Sequence, residues 1–558
     1  MNKIRKIILI SITLFTLLAV SIIFILINNE DYYFLARNIA PILKYTFDEK
    51  YDRPIRKIDV LEYDLSLDVF QKEKFIRESA KIKILSLDST AEALELDFYD
   101  NFKILSLKID NETVPYSFED NKIIMLKNET VKDTNIVEIV FEGEPQNLGL
   151  GSFSMEMENS VEYLSTLNEP IFAPTWFPCN DSPHDKAKLK ISVTHDSSMV
   201  TISNGILQSI ETSENRRTYS WATDYPIATY LIAIYSAPYK IFSEKYFSNN
   251  DSMDINYYVM EENLENARID FSEHGKYLEV LAKIFGEYPF MDEKYGVAEI
   301  RWKQGAMESQ TITSIGSNFI SGMNFNEDIL IHELAHHWWG NSVTPKTWDD
   351  IWLNEGFATY SEALYYEVTS GKSALESTMH SFANQLGYRN DETLYKPGFN
   401  IFSSTVYNKG AWVLHMLRKE IGDSLFFSGI TAYYEKFKYS NASTSDLQSI
   451  FEMVSKRNLN KFFEQWVYVG TGVLELEIDW NEKIISDNNI QLDVKIKQKQ
   501  EGYQNYHFPL DLEIIDSSGI VTNCTAYITS DTTLIFNLEN RIEEISYDND
   551  NWLLAIIE

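Results

Sequence analysis

His332-Glu333-Leu334-Ala335-His336 is followed, after eighteen intervening residues, by Glu355 in the segment Asn354-Glu355-Gly356-Phe357-Ala358. Two histidines four apart on a helix lie one turn apart on the same face, so both imidazoles can reach one cation. Zinc sites that hydrolyse peptide bonds use three protein ligands and keep a fourth position open, and two His with one Glu is a recurrent set. His332, His336 and Glu355 are therefore the expected ligands of one Zn2+ per chain. Imidazole and carboxylate leave such a metal enough positive charge to bring the pKa of a bound water to about 7. Glu333 follows the first ligand directly, which puts a carboxylate beside the open position as general base, taking the water's proton and passing it to the leaving amine. Read alone, the two histidines could be ordinary residues on a buried helix face. Glu355 at this distance on a second helix removes most of the ground for that reading.

The helices that the motif requires are legible. Asn326 can cap a start, Asp328 falls in the first turn where the helix dipole favours negative charge, and Gly340-Asn341 supplies a stop after Trp339. A second helix is expected from near Asn354 through Ala358, Leu364 and Val368 to Gly371, presenting Glu355 from its first turn.

Outward from this centre the hydrophobic period changes twice. Tyr63, Leu65, Leu67 and Val69 alternate with Glu62, Asp64, Ser66 and Asp68, the pattern of a half-buried strand. Similar runs continue through Ile191 to Ser203 and on to Tyr230–Tyr235, so residues 31–240 are expected to form one β domain. Helical spacing then places Ala267, Phe271, Leu278, Leu281 and Phe285 on one face and persists to about Trp466, giving a zinc-binding catalytic domain over 241–468. After Gly470-Thr471-Gly472 the alternation returns in Leu474, Leu476, Ile478 and Trp480, and residues 469–558 are expected to close the chain as a β-sandwich. The fold class is multidomain α+β, in agreement with a length of 558 residues that is too great for a single core.

Ile7 to Ile27 contain no charge, with Lys3, Arg5 and Lys6 before them and Glu30 and Asp31 after. A helix of this length rises roughly 31 Å and can cross a bilayer. Residues 1–30 are thus expected to be a cytoplasmic basic flank and single-pass transmembrane anchor, with the rest of the chain outside the cytoplasm. A cleaved signal peptide, and hence a secreted form, is the competing reading because Ala19-Val20-Ser21 resembles a cleavage site. The apolar run continues past it to Ile27, which favours the anchor. Cys179 and Cys524 are the only cysteines, too few for a disulfide framework. The formal net charge of −34 argues against a nucleic-acid partner and against adhesion of the soluble part to anionic lipid.

Several segments together resemble the zinc aminopeptidases typified by aminopeptidase N, a family that includes the leukotriene-epoxide hydrolase. They are WFPCND at 176–181, Gly305-Ala306-Met307-Glu308, HELAHHWWGN at 332–341, WLNEGFATY at 352–360 and YNKGAWVL at 407–414. The resemblance runs from about residue 57 to the C-terminus. It implies a saddle-like β domain, a thermolysin-like, mainly helical catalytic domain and a C-terminal β-sandwich. It also implies hydrolysis of N-terminal residues from peptides that carry a free N-terminal amine. Residue by residue, it assigns His332, His336 and Glu355 to zinc and Glu333 to general-base catalysis. It gives Tyr407 the role of supporting the tetrahedral intermediate, as a phenol can by donating to an oxyanion. Glu308 matches the glutamate that holds the substrate's α-ammonium, and Glu169 stands where relatives carry a second glutamate or a glutamine. Gly305, Ala306 and Met307 are implied to contact the substrate, with Met307 shaping the first pocket.

Three departures from the family pattern stand out. Ser309 replaces an asparagine, which would shorten a polar contact to the substrate backbone. His337 replaces a frequent glutamine and is expected to point to another helix face as a structural residue. The segment after Trp466 is too short for both a sandwich and the long helical domain that many relatives append, which implies a more open active site. Two other functions share this fold. One is a non-catalytic binding or scaffold protein, against which the intact ligand set and Glu333 count. The other is an epoxide hydrolase of the same family, for which no tunnel signature appears.

Overall fold

The alternation around Tyr63 is realised in the strand Ile58–Phe70, where Tyr63, Leu65, Leu67 and Val69 are all buried. The computed structural model describes residues 56–558 apart from 89–91, 127–132, 149–151, 159–160, 249–250, 304, 387–391, 399 and 487–488. The expected membrane anchor at 7–27 lies outside these residues. Among the described residues no helix is long and apolar enough to cross a membrane.

Ile58–Phe70 lies within an eight-stranded sheet whose order is Ile206–Ser213, Arg216–Ala228, Lys186–Asp196, Ile58–Phe70, Phe75–Ser86, Thr134–Gly143, Lys103–Ile109 and Glu112–Thr113. Every neighbouring pair is antiparallel except Ile58–Phe70 with Lys186–Asp196. A four-stranded sheet of Val200–Ser203, Ile234–Ala237, Val161–Thr166 and Phe153–Glu158 contributes to the same core. The apolar run Tyr230–Tyr235 is not one strand as its pattern predicts. Thr229–Leu231 forms a 3-10 turn before the strand Ile234–Ala237. Side-chain amides take the place of ladder bonds there: Asn168 Nδ2 donates to the Thr229 and Ile232 carbonyls and Asn204 Nδ2 to that of Leu231. The turn frees Tyr230 to reach the metal-site region, where its hydroxyl donates to the Gly340 carbonyl at 3.2 Å.

The next layer is a mixed sheet ordered Lys240–Ser248, Asp251–Val259, Tyr295–Ile300, Thr313–Gly316 and Ala306–Met307, the last strand antiparallel and at the edge. Six helices matter here: α1 (Leu264–Asp270), α2 (His274–Phe285), α3 (Glu327–Ala335), α4 (Trp352–Ser370), α5 (Lys372–Leu386) and α6 (Gly410–Ile421). The predicted apolar face from Ala267 to Phe285 is buried throughout but split between α1 and α2. The break falls at Asp270, whose carboxylate leaves the helix to accept the backbone N–H groups of Gly322 and Asn324 at 2.9 and 2.8 Å. That clamp fixes the loop that feeds α3, so the interruption positions the site.

The C-terminal residues form two antiparallel-rich sheets. One is ordered Thr532–Leu538, Asn489–Gln498, Leu474–Ser486 and Ala555–Ile557, the other Val521–Ile528, Phe508–Asp516 and Ile542–Tyr547. Leu492, Val494 and Ile496 from the first and Leu510, Leu512 and Ile514 from the second are buried in one core. Leu474 and Leu476 follow the predicted alternation, but Ile478 is half-buried and Trp480 is 42% exposed. The strand outlasts the core it packs against.

Candidate active site

α3 begins at Glu327, with Asn326 at the cap position as predicted, yet the Asn326 side chain accepts no helix N–H. Its amide donates to the Phe319 carbonyl at 2.8 Å instead. The regular helix stops at Ala335, and the bonds His337 N–H to Leu334 and Trp338 N–H to Ala335 tighten the last turn ahead of Gly340. Gly340 has φ +136°, a conformation that only glycine adopts readily. α4 starts at Trp352, two residues before the predicted Asn354, and stops at Gly371; Glu355 lies in its first turn.

These two helices bring three ligand atoms together. His332 Nε2 and His336 Nε2 are 3.0 Å apart, and Glu355 Oε2 is 3.4 Å from the first and 3.3 Å from the second. A tetrahedral zinc with bonds of about 2.0–2.2 Å separates its ligand atoms by roughly 3.3–3.6 Å, so the donor set fits that ion in type, number and spacing. The Nδ1 atoms are occupied elsewhere: that of His332 faces Glu362 Oε1 at 2.8 Å, and that of His336 faces the Trp339 carbonyl at 3.0 Å. Fixing Nδ1–H in this way leaves each Nε2 lone pair for the metal. The zinc motif itself does not single out Glu362, although its place two helical turns after Glu355 puts it on the same face of α4.

The three ligands line a cavity of about 460 Å³ together with Glu169, Glu308, Glu333, Glu362 and Asp328; among the described residues no lysine or arginine lines it. Glu333 Oε2, Glu308 Oε1 and Glu169 Oε1 are buried without a hydrogen-bond partner. Burial pushes the Glu333 carboxyl up to about 8, with His332 opposing and Glu308 adding to the push. Burial also raises Glu308, and it raises Glu169 well above the usual carboxylate range, where Glu308 reinforces it. So many desolvated carboxylates in one space are unfavourable without cations among them. One cation belongs at the His–His–Glu triad. A second could be held where oxygens of Glu169, Glu308 and Glu355 lie within 4.8 Å of one another. Glu308 is fixed through its backbone, whose carbonyl accepts Asn341 Nδ2 at 2.7 Å.

Tyr407 also lines the cavity, its ring stacked on His332 with centroids 5.7 Å apart and planes 15° from parallel. It sits in a single π-helical turn, Thr405–Lys409, that leads into α6. A glycine contact sets its distance from the ligands. A Cβ built on Gly410 would lie 2.8 Å from Gly356 Cα, and one on Gly356 would lie 2.9 Å from Gly410 Cα. The residue after the third ligand and the third residue after Tyr407 must both be glycine for α4 and α6 to approach this closely.

Gly305, Ala306 and Met307 form the near wall, Ala306–Met307 being the edge strand of the mixed sheet. Ser309 does not reach the cavity; it is buried with its hydroxyl 2.9 Å from that of Tyr235, so the expected shortened contact to substrate is replaced by an internal hydrogen bond. His337 points away from the ligands, as its place on the helix predicts. Its Nε2 accepts the Thr311 N–H at 3.2 Å, and burial lowers its pKa to about 3, keeping the ring neutral.

Sequence profiles described as Peptidase M1 N-terminal domain and Peptidase family M1 domain match residues 60–231 and 270–466. The chain belongs to peptidase family M1. It is 26% identical over 434 residues to a protein named probable aminopeptidase 2 of Sulfurisphaera tokodaii, covering 74% of this chain and 53% of that protein. It is 25% identical over 536 residues to "Aminopeptidase 2, mitochondrial" of Saccharomyces cerevisiae, covering 88% and 55%. The chain thus spans about half the length of these curated relatives. Among solved structures, an M1 zinc metallopeptidase mutant from Deinococcus radiodurans bound to a Tyr-Ser-Ala substrate superposes with a TM-score of 0.65 at 23% identity, covering 74% of this chain and 94% of that one. Aminopeptidase A of Legionella pneumophila in complex with aspartic acid gives a TM-score of 0.77 at 19% identity, covering 91% and 60%. At these identities the structural likeness establishes the shared fold.

Proposed function

We propose that this chain is a zinc-dependent aminopeptidase that releases N-terminal residues from peptides. The observation that carries the reading is the pair of buried carboxylates, Glu169 and Glu308, each with one oxygen that lacks a hydrogen-bond partner and both set within 4.8 Å of the ligand Glu355. An α-ammonium held there places the first peptide bond, and no later one, at the metal. An internal stretch of chain offers no cation and would leave those charges unpaired. The names of the relatives and the tripeptide in the Deinococcus structure support peptides as the substrate class.

His332, His336 and Glu355 would hold the zinc. When bound, the zinc supplies a Lewis acid that polarises the scissile carbonyl and acidifies water. Glu333, in the same cavity with a free oxygen, takes a proton from the attacking water and returns it to the leaving amine. The Tyr407 phenol, kept protonated by burial, donates a hydrogen bond to the oxyanion as the carbonyl becomes tetrahedral. Among the described residues Ala306–Met307 is the edge strand of its sheet, so its outer side can pair with an extended substrate. Metal analysis combined with turnover of a panel of aminoacyl-anilides tests the proposal. One zinc per chain with release of the anilide is expected, whereas a metal-loaded protein that turns over no member is a binding protein on this fold.

We further propose that residues 7–27 anchor the protein as a single-pass helix with the N-terminus in the cytoplasm and the catalytic part outside. The uncharged run and its Lys3, Arg5, Lys6 flank support this. Protease added to intact spheroplasts is expected to degrade the catalytic part. Complete protection would contradict this topology.

A further inference from the structure

The catalytic cavity does not end at the metal ligands. A groove of about 350 Å³ continues from it, sharing Asp328, Glu362, Phe382 and Gln385 with the main cavity and extending over Phe325, Glu327 and Tyr366. Its direction relative to the substrate follows from the two ends of α3. Glu308 is tied to Asn341, beyond the C-terminal end of that helix, whereas Asp328 lies one turn before His332 and Glu362 bonds the far nitrogen of His332. The amine-binding carboxylates and the groove are therefore on opposite sides of the triad. A peptide whose ammonium is held by Glu169 and Glu308 can send its leaving portion past His332 into the groove. An extended chain advances about 3.3 Å per residue and four helical residues rise about 6 Å, so the residue after the scissile bond arrives between His332 and Asp328.

The chemistry of the groove is two-sided. Phe325, Tyr366 and Phe382 offer aromatic surface, Glu327 and Asp328 offer carboxylates, and among the described residues no lysine or arginine lines it. Asp328 is exposed and forms no ion pair among the described residues. A second, independent feature lies in the cavity wall one helical turn from Glu362, which cavity and groove share. The Thr359 hydroxyl lines the cavity between Glu355 and Glu362 on α4, in a residue 3% exposed, and has no hydrogen-bond partner. A buried hydroxyl in that position is suited to the backbone of the leaving portion. A long aliphatic stem ending in a cation matches aromatic walls with a carboxylate rim, where the stem packs and the head stays solvated beside the acid.

We propose that this groove, with Asp328 as its specificity-determining residue, selects peptides that carry lysine or arginine immediately after the scissile bond. This rests on the aminopeptidase reading above and adds the substrate class to it. The test follows leucine release from the peptides Leu-Lys-Ala, Leu-Arg-Ala, Leu-Gln-Ala and Leu-Glu-Ala by the zinc-loaded full chain, with leucyl-anilide alongside. The kcat/KM for the lysine and arginine peptides is expected to exceed that for the glutamate peptide roughly tenfold at low salt, and the gap should shrink as salt screens the exposed carboxylate. In Asp328→Asn the Lys/Glu ratio should fall towards one, and in Asp328→Lys it should invert. Because each ratio is internal to one protein, a general loss of activity in a variant does not obscure it. Equal rates for the lysine and glutamate peptides in the unmodified protein, or a ratio that Asp328→Lys leaves intact, would overturn the proposal while leaving the aminopeptidase intact. No release from any peptide or from leucyl-anilide would instead overturn the aminopeptidase reading, and this proposal with it.

Discussion

Replacing His336 by Ala is expected to remove the metal and peptide hydrolysis together. Its Nε2 stands 3.0 Å from that of His332 and 3.3 Å from Glu355 Oε2, so two ligands remain where a catalytic zinc needs three. The metal supplies several kcal/mol of barrier lowering and each 1.36 kcal/mol is tenfold, which gives a loss of about 10³ or more. Zinc per chain and kcat/KM should be measured on the same sample, with thermal unfolding to verify that the variant is folded. Activity persisting in a demonstrably zinc-free variant would sink the metal assignment.

Glu333→Gln is expected to behave differently, keeping zinc while turnover falls by roughly 10²–10⁴, the usual contribution of a positioned general base. The amide is nearly isosteric, and Glu333 Oε2 has no hydrogen bond to lose, so the fold and the triad should be undisturbed. Zinc near one per chain with a large fall in kcat is the signature. A variant that keeps full turnover would transfer the proton-moving role to another group.

The contrast between these two residues and the rest of the site shows which parts a sequence can carry. His332, His336, Glu333 and Glu355 are legible because their relation is set by helical periodicity within two short segments, and local geometry suffices to bring them together. Glu362 is within the same reach, its spacing from Glu355 being the signal that could find it. Tyr407 is legible only through the family resemblance. Its position depends on a π-helical turn and on the Gly356–Gly410 contact, and no local pattern encodes contact between helices so far apart in sequence. Glu169 arrives from the N-terminal β domain in the same way, through tertiary packing.

In the fold, the alternation of Tyr63 to Val69 is reliable because that strand is buried on one face along its length. Alternation overstates burial at Trp480, where the strand continues beyond the core. It does not reveal the 3-10 turn at Tyr230, because distant Asn168 and Asn204 supply the hydrogen bonds that make the turn favourable. The break between α1 and α2 has the same kind of origin, in an Asp270 clamp on a loop about fifty residues away.

Glu308 and Glu169, in the aminopeptidase proposed here, read a free amine and thereby confine cleavage to the first peptide bond. The most direct test compares kcat/KM for one peptide and its N-acetylated twin with the zinc-loaded protein. Hydrogen bonds to a charged group contribute about 1.5–3 kcal/mol each, so acetylation is expected to lower kcat/KM by roughly one to two powers of ten for each such bond that the ammonium no longer makes. Glu308→Ala should weaken cleavage of the free-amine peptide and narrow that gap. Equal values for the free and acetylated peptides would contradict the account and identify the chain as a zinc endopeptidase.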